Sequence, residues 1–154
     1  MSTSRARLAA EGKAHTDESG DLAARMIGAS KGRVVARELV PDDAAKIRRT
    51  VGKALSSKGL DVVVLTGGTG VSTTDVTIET VRPLFEKEIE GFGEVFRAAS
   101  YAKIGAAAAL SRATAGVAKG KLVMCLPGSP DAVGTALGTF LGEVPHVLHL
   151  ARGR

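Results

Sequence analysis

Aromatic residues are scarce in this chain of 154 residues: one tyrosine, four phenylalanines and no tryptophan. Valine, leucine, isoleucine and alanine must therefore fill the core. Cysteine is nearly absent as well. Cys125 lies in the apolar run "LVMCL" and has no partner in the chain. That excludes an internal disulfide and fits a plain core thiol in a reducing cytosol. No apolar run approaches the roughly 20 residues needed to span a bilayer. The N-terminus is polar and basic, without the apolar stretch of a secretory leader. The expectation is a cytoplasmic protein with no membrane partner.

What is present suits one domain over residues 1–154 with one core. The net charge is +5 and uneven. Residues 1–60 hold 12 Lys/Arg against 7 Asp/Glu, and residues 61–154 hold 9 of each. The basic excess is scattered and has no aromatic interleaving, which argues against nucleic acid. An anionic small molecule, such as a phosphate ester, is attracted by the same field.

Strand and helix signals alternate along the chain. "TDESG" (16–20) starts a helix, with Leu22, Met26 and Ile27 on one face. "GRVVARELV" (32–40) is rich in β-branched residues and predicts a strand stopped by Pro41. Asp42 and Asp43 open a helix whose Ile47, Val51 and Leu55 repeat at spacing four. After Gly59 comes "LDVVVLT" (60–66), apolar on both faces like a central parallel strand. Residues 75–81 begin another helix, broken near Pro83, and residues 91–116 predict helix in two pieces. "KLVMCL" (121–126) is a further buried strand, and a helix starts at about Asp131. The alternation predicts an α/β fold, a three-layer α/β/α sandwich on a mostly parallel central sheet.

Both buried strands run into bare turns, "TGGTG" (66–70) and "PGSP" (127–130). In open α/β sheets, ligands bind at such carboxyl ends of strands. Backbone amides in the turn, joined to a helix N-terminus, form a nest suited to phosphate. The competing reading is a tight turn that needs glycine only for its positive φ. "GGTGVSTT" lacks Gly-Lys-Ser/Thr and is no P-loop, and Thr73 breaks the G-x-G-x-x-G spacing. Three hydroxyls and a carboxylate follow the turn: Ser72, Thr73, Thr74 and Asp75. A carboxylate beside a phosphate nest suits an intervening Mg²⁺, and Asp42 is a candidate second ligand. Either Asp is equally suited to capping a helix. His146 and His149 in "HVLH" have no third ligand nearby, and packing or surface roles suit them better than a metal. No Ser/His/Asp or Cys/His set stands out, which argues against nucleophilic catalysis.

Taken in order, "TDESGDLAA", "LVPDD", "DVVVLTGGTGVSTTDVTIE", "GFGEVFR", "LSRATAG" and "LPGSPDAV" resemble the MoaB/Mog family of molybdopterin-binding proteins. The resemblance runs from Ser2 to about Arg152. "STSR" (2–5) and "STTDVTIE" look more like archaeal-type MoaB proteins than bacterial Mog enzymes. The resemblance implies molybdenum or tungsten cofactor biosynthesis. The reaction would be a Mg²⁺-dependent transfer of AMP from ATP to the terminal phosphate of molybdopterin, releasing pyrophosphate. It implies that Asp75 and Asp42 are the catalytic, Mg²⁺-binding carboxylates. Gly67, Gly68, Thr69, Gly70, Ser72, Pro127, Gly128 and Ser129 would bind the substrates. It further implies a homotrimer or homohexamer, and delivery of the product to a metal-insertion enzyme.

Two departures bear on this. Thr74 and Asp131 stand where Mog enzymes often carry Arg and Lys, so two positive charges near the phosphates are lost. A non-catalytic molybdopterin carrier is therefore one alternative, and a CinA-type nucleotide pyrophosphatase of the same fold is another. In the family, "STSR" ends a first, central β-strand. Here Met1 directly precedes Ser2, so roughly seven residues of that strand are expected to be missing.

Overall fold

The computed structural model describes residues 16–153. The first strand expected from the family lies outside these residues. Helix α1 (Glu18–Ala29) begins where "TDESG" predicts, with the Asp17 carboxylate accepting from the Gly20 amide. Helix α2 (Ala44–Ser56) is capped by Asp43, whose carboxylate accepts from the Lys46 amide at 2.8 Å. Its buried stripe is Ile47, Val51 and Leu55, as the spacing predicts.

Strand β1 (Val62–Thr66) leads through the first glycine turn to the short helix α3 (Thr77–Val81) and a 3₁₀ turn at Arg82–Leu84, which contains Pro83. Strand β2 (Lys87–Glu88) and helix α4 (Glu90–Ile104) follow. Gly105, at φ 60°, ends α4, and a 3₁₀ segment runs over Gly105–Leu110. Strands β3 (Thr114–Ala118) and β4 (Lys121–Leu126) precede helix α5 (Pro130–Phe140). A 3₁₀ turn (Leu141–Glu143) and helix α6 (Val144–Ala151) close the described chain.

The sheet order is β1-β4-β3-β2. Among the described residues β1 and β4 pair in parallel, with Val64 opposite Met124. The pairs β3·β4 and β2·β3 are antiparallel, so this side of the sheet is mixed. Alternation along β4 defines the three layers. Leu122, Met124 and Leu126 face a core shared with α1, α4 and α5. Val123 and Cys125 face the opposite core, under α2 and α3. Strand β1 divides the same way, Val62 and Val64 to the first core and Val63 and Leu65 to the second. With few aromatics, branched aliphatics fill the space, and Phe92 meets Phe140 edge-on at 4.9 Å in the first core.

Two expectations are corrected. Residues 32–40 form no strand among the described residues, and Val34 and Val35 are 40% and 53% exposed. β-branched composition favours a pleated, half-buried surface but does not supply the neighbouring strand that a ladder requires. This segment is tied down at points instead: Arg37 donates to Asp21 at 2.8 Å and to Asp17 at 3.0 Å, and Val40 packs on the second core. The second correction is at residues 91–116, whose last part is strand β3 rather than helix. Lys119 and Gly120, both at positive φ, form the two-residue turn that folds β3 onto β4.

Candidate functional site

The first turn leaves β1 through Gly67 and Gly68, at φ 90° and 65°. Both lie in the left-handed region that glycine alone enters without strain. A second constraint is steric. A Cβ on Gly68 would come within 2.4 Å of Thr77 Oγ1 and 2.6 Å of Asp42 Oδ1. The bare backbone thus admits the Asp42 carboxylate from the segment leading into α2. On Gly70 a Cβ would meet Asp75 Oδ2 at 2.8 Å. The turn is pinned from below. Thr77 donates its amide to the Gly68 carbonyl and its hydroxyl to the Gly67 carbonyl, both at 2.9 Å. The Ser72 amide donates to Asp75 Oδ2 at 2.9 Å and fixes that carboxylate.

The second turn leaves β4 beside the first. The Gly67 amide donates to the Leu126 carbonyl at 2.9 Å. A Cβ on Gly128 would come within 3.2 Å of Gly67 Cα. Ser19 of α1 donates to the Gly128 carbonyl at 2.6 Å and holds the turn from the other side. Ser129 is the N-cap of α5, its hydroxyl accepting from the Ala132 amide at 3.3 Å. The amides of Gly68, Thr69, Gly70, Gly128 and Ser129 meet no acceptor among the described residues. Such unspent donors at strand ends and a helix N-terminus suit an anion.

The two turns share a cavity of about 530 Å³. Of the sequence-predicted residues, Asp42, Asp75, Gly67, Gly68, Thr69, Gly70, Pro127 and Gly128 line it. Ser72 and Ser129 do not, their polar groups being used on Asp75 and on α5. Asp43, not Asp42, caps α2, which leaves the Asp42 carboxylate at the turn. Sequence reasoning assigned no role to Leu110, Ser111 and Arg112, which also line the cavity. The signal for them was the motif "LSRATAG". Thr74, which stands where Mog enzymes often carry Arg, lines the cavity too.

Arg112 is ion-paired to Glu79 of α3. Burial pushes the Glu79 carboxyl up, but the Arg112 hydrogen bond, its backbone environment and the charges of Arg112 and Arg82 outweigh this and hold it below the usual carboxylate range. Two carboxylates, unspent amides and a guanidinium therefore face one space. Hard oxygen donors of this kind fit Mg²⁺, which binds through one or two carboxylates and completes its shell with water and phosphate. No group of three or more His, Cys, Asp or Glu that fits a metal exists among the described residues. His146 lies 3.6 Å from Glu143 on an exposed surface. Cys125 is fully buried, and desolvation pushes its thiol up to about 12, an inert core position. No helix among the described residues is long and apolar enough to cross a membrane.

Comparison with known proteins gives the family. The sequence profile described as "Probable molybdopterin binding domain" matches residues 1–147. The chain is 46% identical over 140 residues to the molybdopterin adenylyltransferase of Pyrococcus furiosus, covering 88% of this chain and 81% of that one. It is 41% identical over 138 residues to molybdenum cofactor biosynthesis protein B of Bacillus subtilis, covering 89% and 80%. Among solved structures, the tungsten cofactor synthesizing protein MoaB of Pyrococcus furiosus superposes with a TM-score of 0.85 at 45% identity, covering 94% and 91%. With a profile match over most of its length and relatives above 40% identity, the chain belongs to the MoaB/Mog family of molybdopterin-binding proteins.

Proposed function

We propose that this protein acts in molybdenum or tungsten cofactor biosynthesis as a molybdopterin adenylyltransferase, with residues 1–154 serving as one catalytic domain. The observation that carries the reading is the convergence of Asp42, Asp75 and the unspent amides of both turns on one cavity. A terminal phosphate oxygen of molybdopterin attacks the α-phosphorus of ATP. A new P–O bond forms, the bond from the α-phosphorus to the bridging oxygen breaks, and pyrophosphate leaves. Such a transfer needs positioning and charge neutralisation more than covalent help from the protein. The amides of Gly68, Thr69, Gly70 and Gly128 would hold phosphate oxygens. Asp42 and Asp75 would hold Mg²⁺, which when bound neutralises phosphate charge. The Ser72 amide orients Asp75 for this.

The carrier alternative rested on positive charges lost at Thr74 and Asp131. Arg112, although paired with Glu79, still places a guanidinium in the cavity wall, which favours catalysis. Incubation with molybdopterin, ATP and Mg²⁺ is expected to yield adenylylated pterin and pyrophosphate. ATP left intact, with molybdopterin bound, would establish the carrier instead. The family's closed assemblies extend the reading to a homotrimer or homohexamer, and a monomer by light scattering at micromolar concentration contradicts that part. The product would pass to a metal-insertion enzyme, and the setting is the cytoplasm.

A further inference from the structure

A second cavity, of about 210 Å³, adjoins the first. It is lined by Ile78, Glu79, Arg82, Arg97, Arg112 and Ala113, so Arg112 is common to both cavities. Three guanidiniums face one carboxylate there. Two of the three are committed. Arg112 pairs with Glu79. Arg82 donates through Nε and Nη2 to Glu88 Oε1 at 3.0 and 2.7 Å, an oxygen that also accepts from Thr114 Oγ1 at 2.7 Å. Arg97 is half-buried and has no hydrogen-bond or carboxylate partner among the described residues.

The backbone makes room for that unpaired cation. Arg97 sits one turn after Gly93 on α4, and a Cβ on Gly93 would meet Arg97 Nη1 at 3.0 Å, Nη2 at 3.3 Å and the Ala113 carbonyl at 2.8 Å. Glycine at 93 thus lets the guanidinium fold back along its own helix to the cavity wall. An uncommitted guanidinium in a walled, net-positive cavity calls for an oxyanion, which its planar fork matches with two parallel hydrogen bonds.

We propose that this second cavity is an anion subsite for a pyrophosphate group, with Arg97 as the cation that grips it and Arg112 as the link to the first cavity. The identification of the anion as the pyrophosphate of a nucleotide rests on the adenylyl-transfer reading; the presence of an anion subsite does not. The subsite draws the β- and γ-phosphates away from the α-phosphorus and gives the departing pyrophosphate its own exit. AMP, which lacks those phosphates, does not reach it.

Calorimetric titration of the full chain with inorganic pyrophosphate, ATP and AMP, without molybdopterin, tests this. Losing one charge-assisted hydrogen-bonding partner costs roughly 10- to 100-fold in affinity. Arg97→Gln is expected to weaken pyrophosphate and ATP by that factor and to leave AMP within about twofold. Arg97→Glu is expected to weaken the first two further, and both variants to melt with the parent because Arg97 is half-exposed and unpaired. Unchanged pyrophosphate affinity in both variants, equal weakening of all three ligands, or a parent that binds no pyrophosphate would overturn the proposal. The two readings fail separately. Arg97-dependent pyrophosphate binding without adenylylated pterin keeps the subsite and removes the enzyme. Adenylylated pterin with Arg97-independent binding does the reverse.

Discussion

The two bare turns look alike in sequence and differ in what they do. Each follows a strand of the parallel β1·β4 pair and leads into a helix. The first holds two glycines at positive φ with two carboxylates pressed against its backbone. The second holds no positive φ, and its serine is the cap of α5. The first turn has its fold maintained from outside, by Thr77 beneath it, which leaves the amides of Gly68, Thr69 and Gly70 unspent. The second maintains its helix with its own side chain, and what it offers the cavity is Pro127 and the Gly128 amide. Left-handed backbone that glycine alone adopts freely is placed where a ligand is to be met, and ordinary capping chemistry suffices beside it.

Substitutions can break this contrast, and the largest effect is expected at Gly68. Left-handed backbone costs a residue with Cβ about 1–3 kcal/mol. The new Cβ would also displace the Thr77 hydroxyl and the Asp42 carboxylate. Gly68→Ala is therefore expected to lower the melting temperature and abolish adenylylation together, in a thermal scan run beside the product assay.

Thr77→Val comes next. It keeps the shape but strands the buried Gly67 carbonyl, at a cost of about 1–3 kcal/mol. Denaturant titration reads this as a lower midpoint with an unchanged slope.

The smallest effect is expected at the second turn. Ser129→Ala removes a helix cap worth about 1 kcal/mol. Stability should fall by that amount while turnover per folded molecule stays within about twofold. A large loss of turnover there would erase the distinction between the two turns.

How far the sequence reveals the molecule follows the same physics. Strands β1 and β4 and their turns are legible because an apolar run followed by glycines is a local pattern. Helix α2 is legible because its cap and its spacing-four stripe are local too. Residues 32–40 mislead because Val34 and Val35 signal a strand while the ladder partner is not written beside them. Strand β3 hides because "TAGVA" reads as more of the alanine-rich helix before it. Only the Lys119-Gly120 turn, both residues at positive φ, pairs it with β4. Arg112 escapes notice for a related reason: it reaches the cavity because the Gly105–Leu110 segment carries it across to a turn more than forty residues away in sequence. Asp75 is readable since its anchor, Ser72, is three residues away.

The central claim is that the first turn and its carboxylates perform the transfer of AMP. It is tested most directly by the rate at which Asp75→Asn forms adenylylated molybdopterin from ATP with Mg²⁺. The substitution is nearly isosteric and leaves an oxygen to accept from the Ser72 amide, so the melting temperature should match the parent. Removing one charge-stabilising group from such a site costs on the order of 10²–10³ in rate, and that loss is the predicted result. Turnover by Asp75→Asn equal to the parent's would contradict the account.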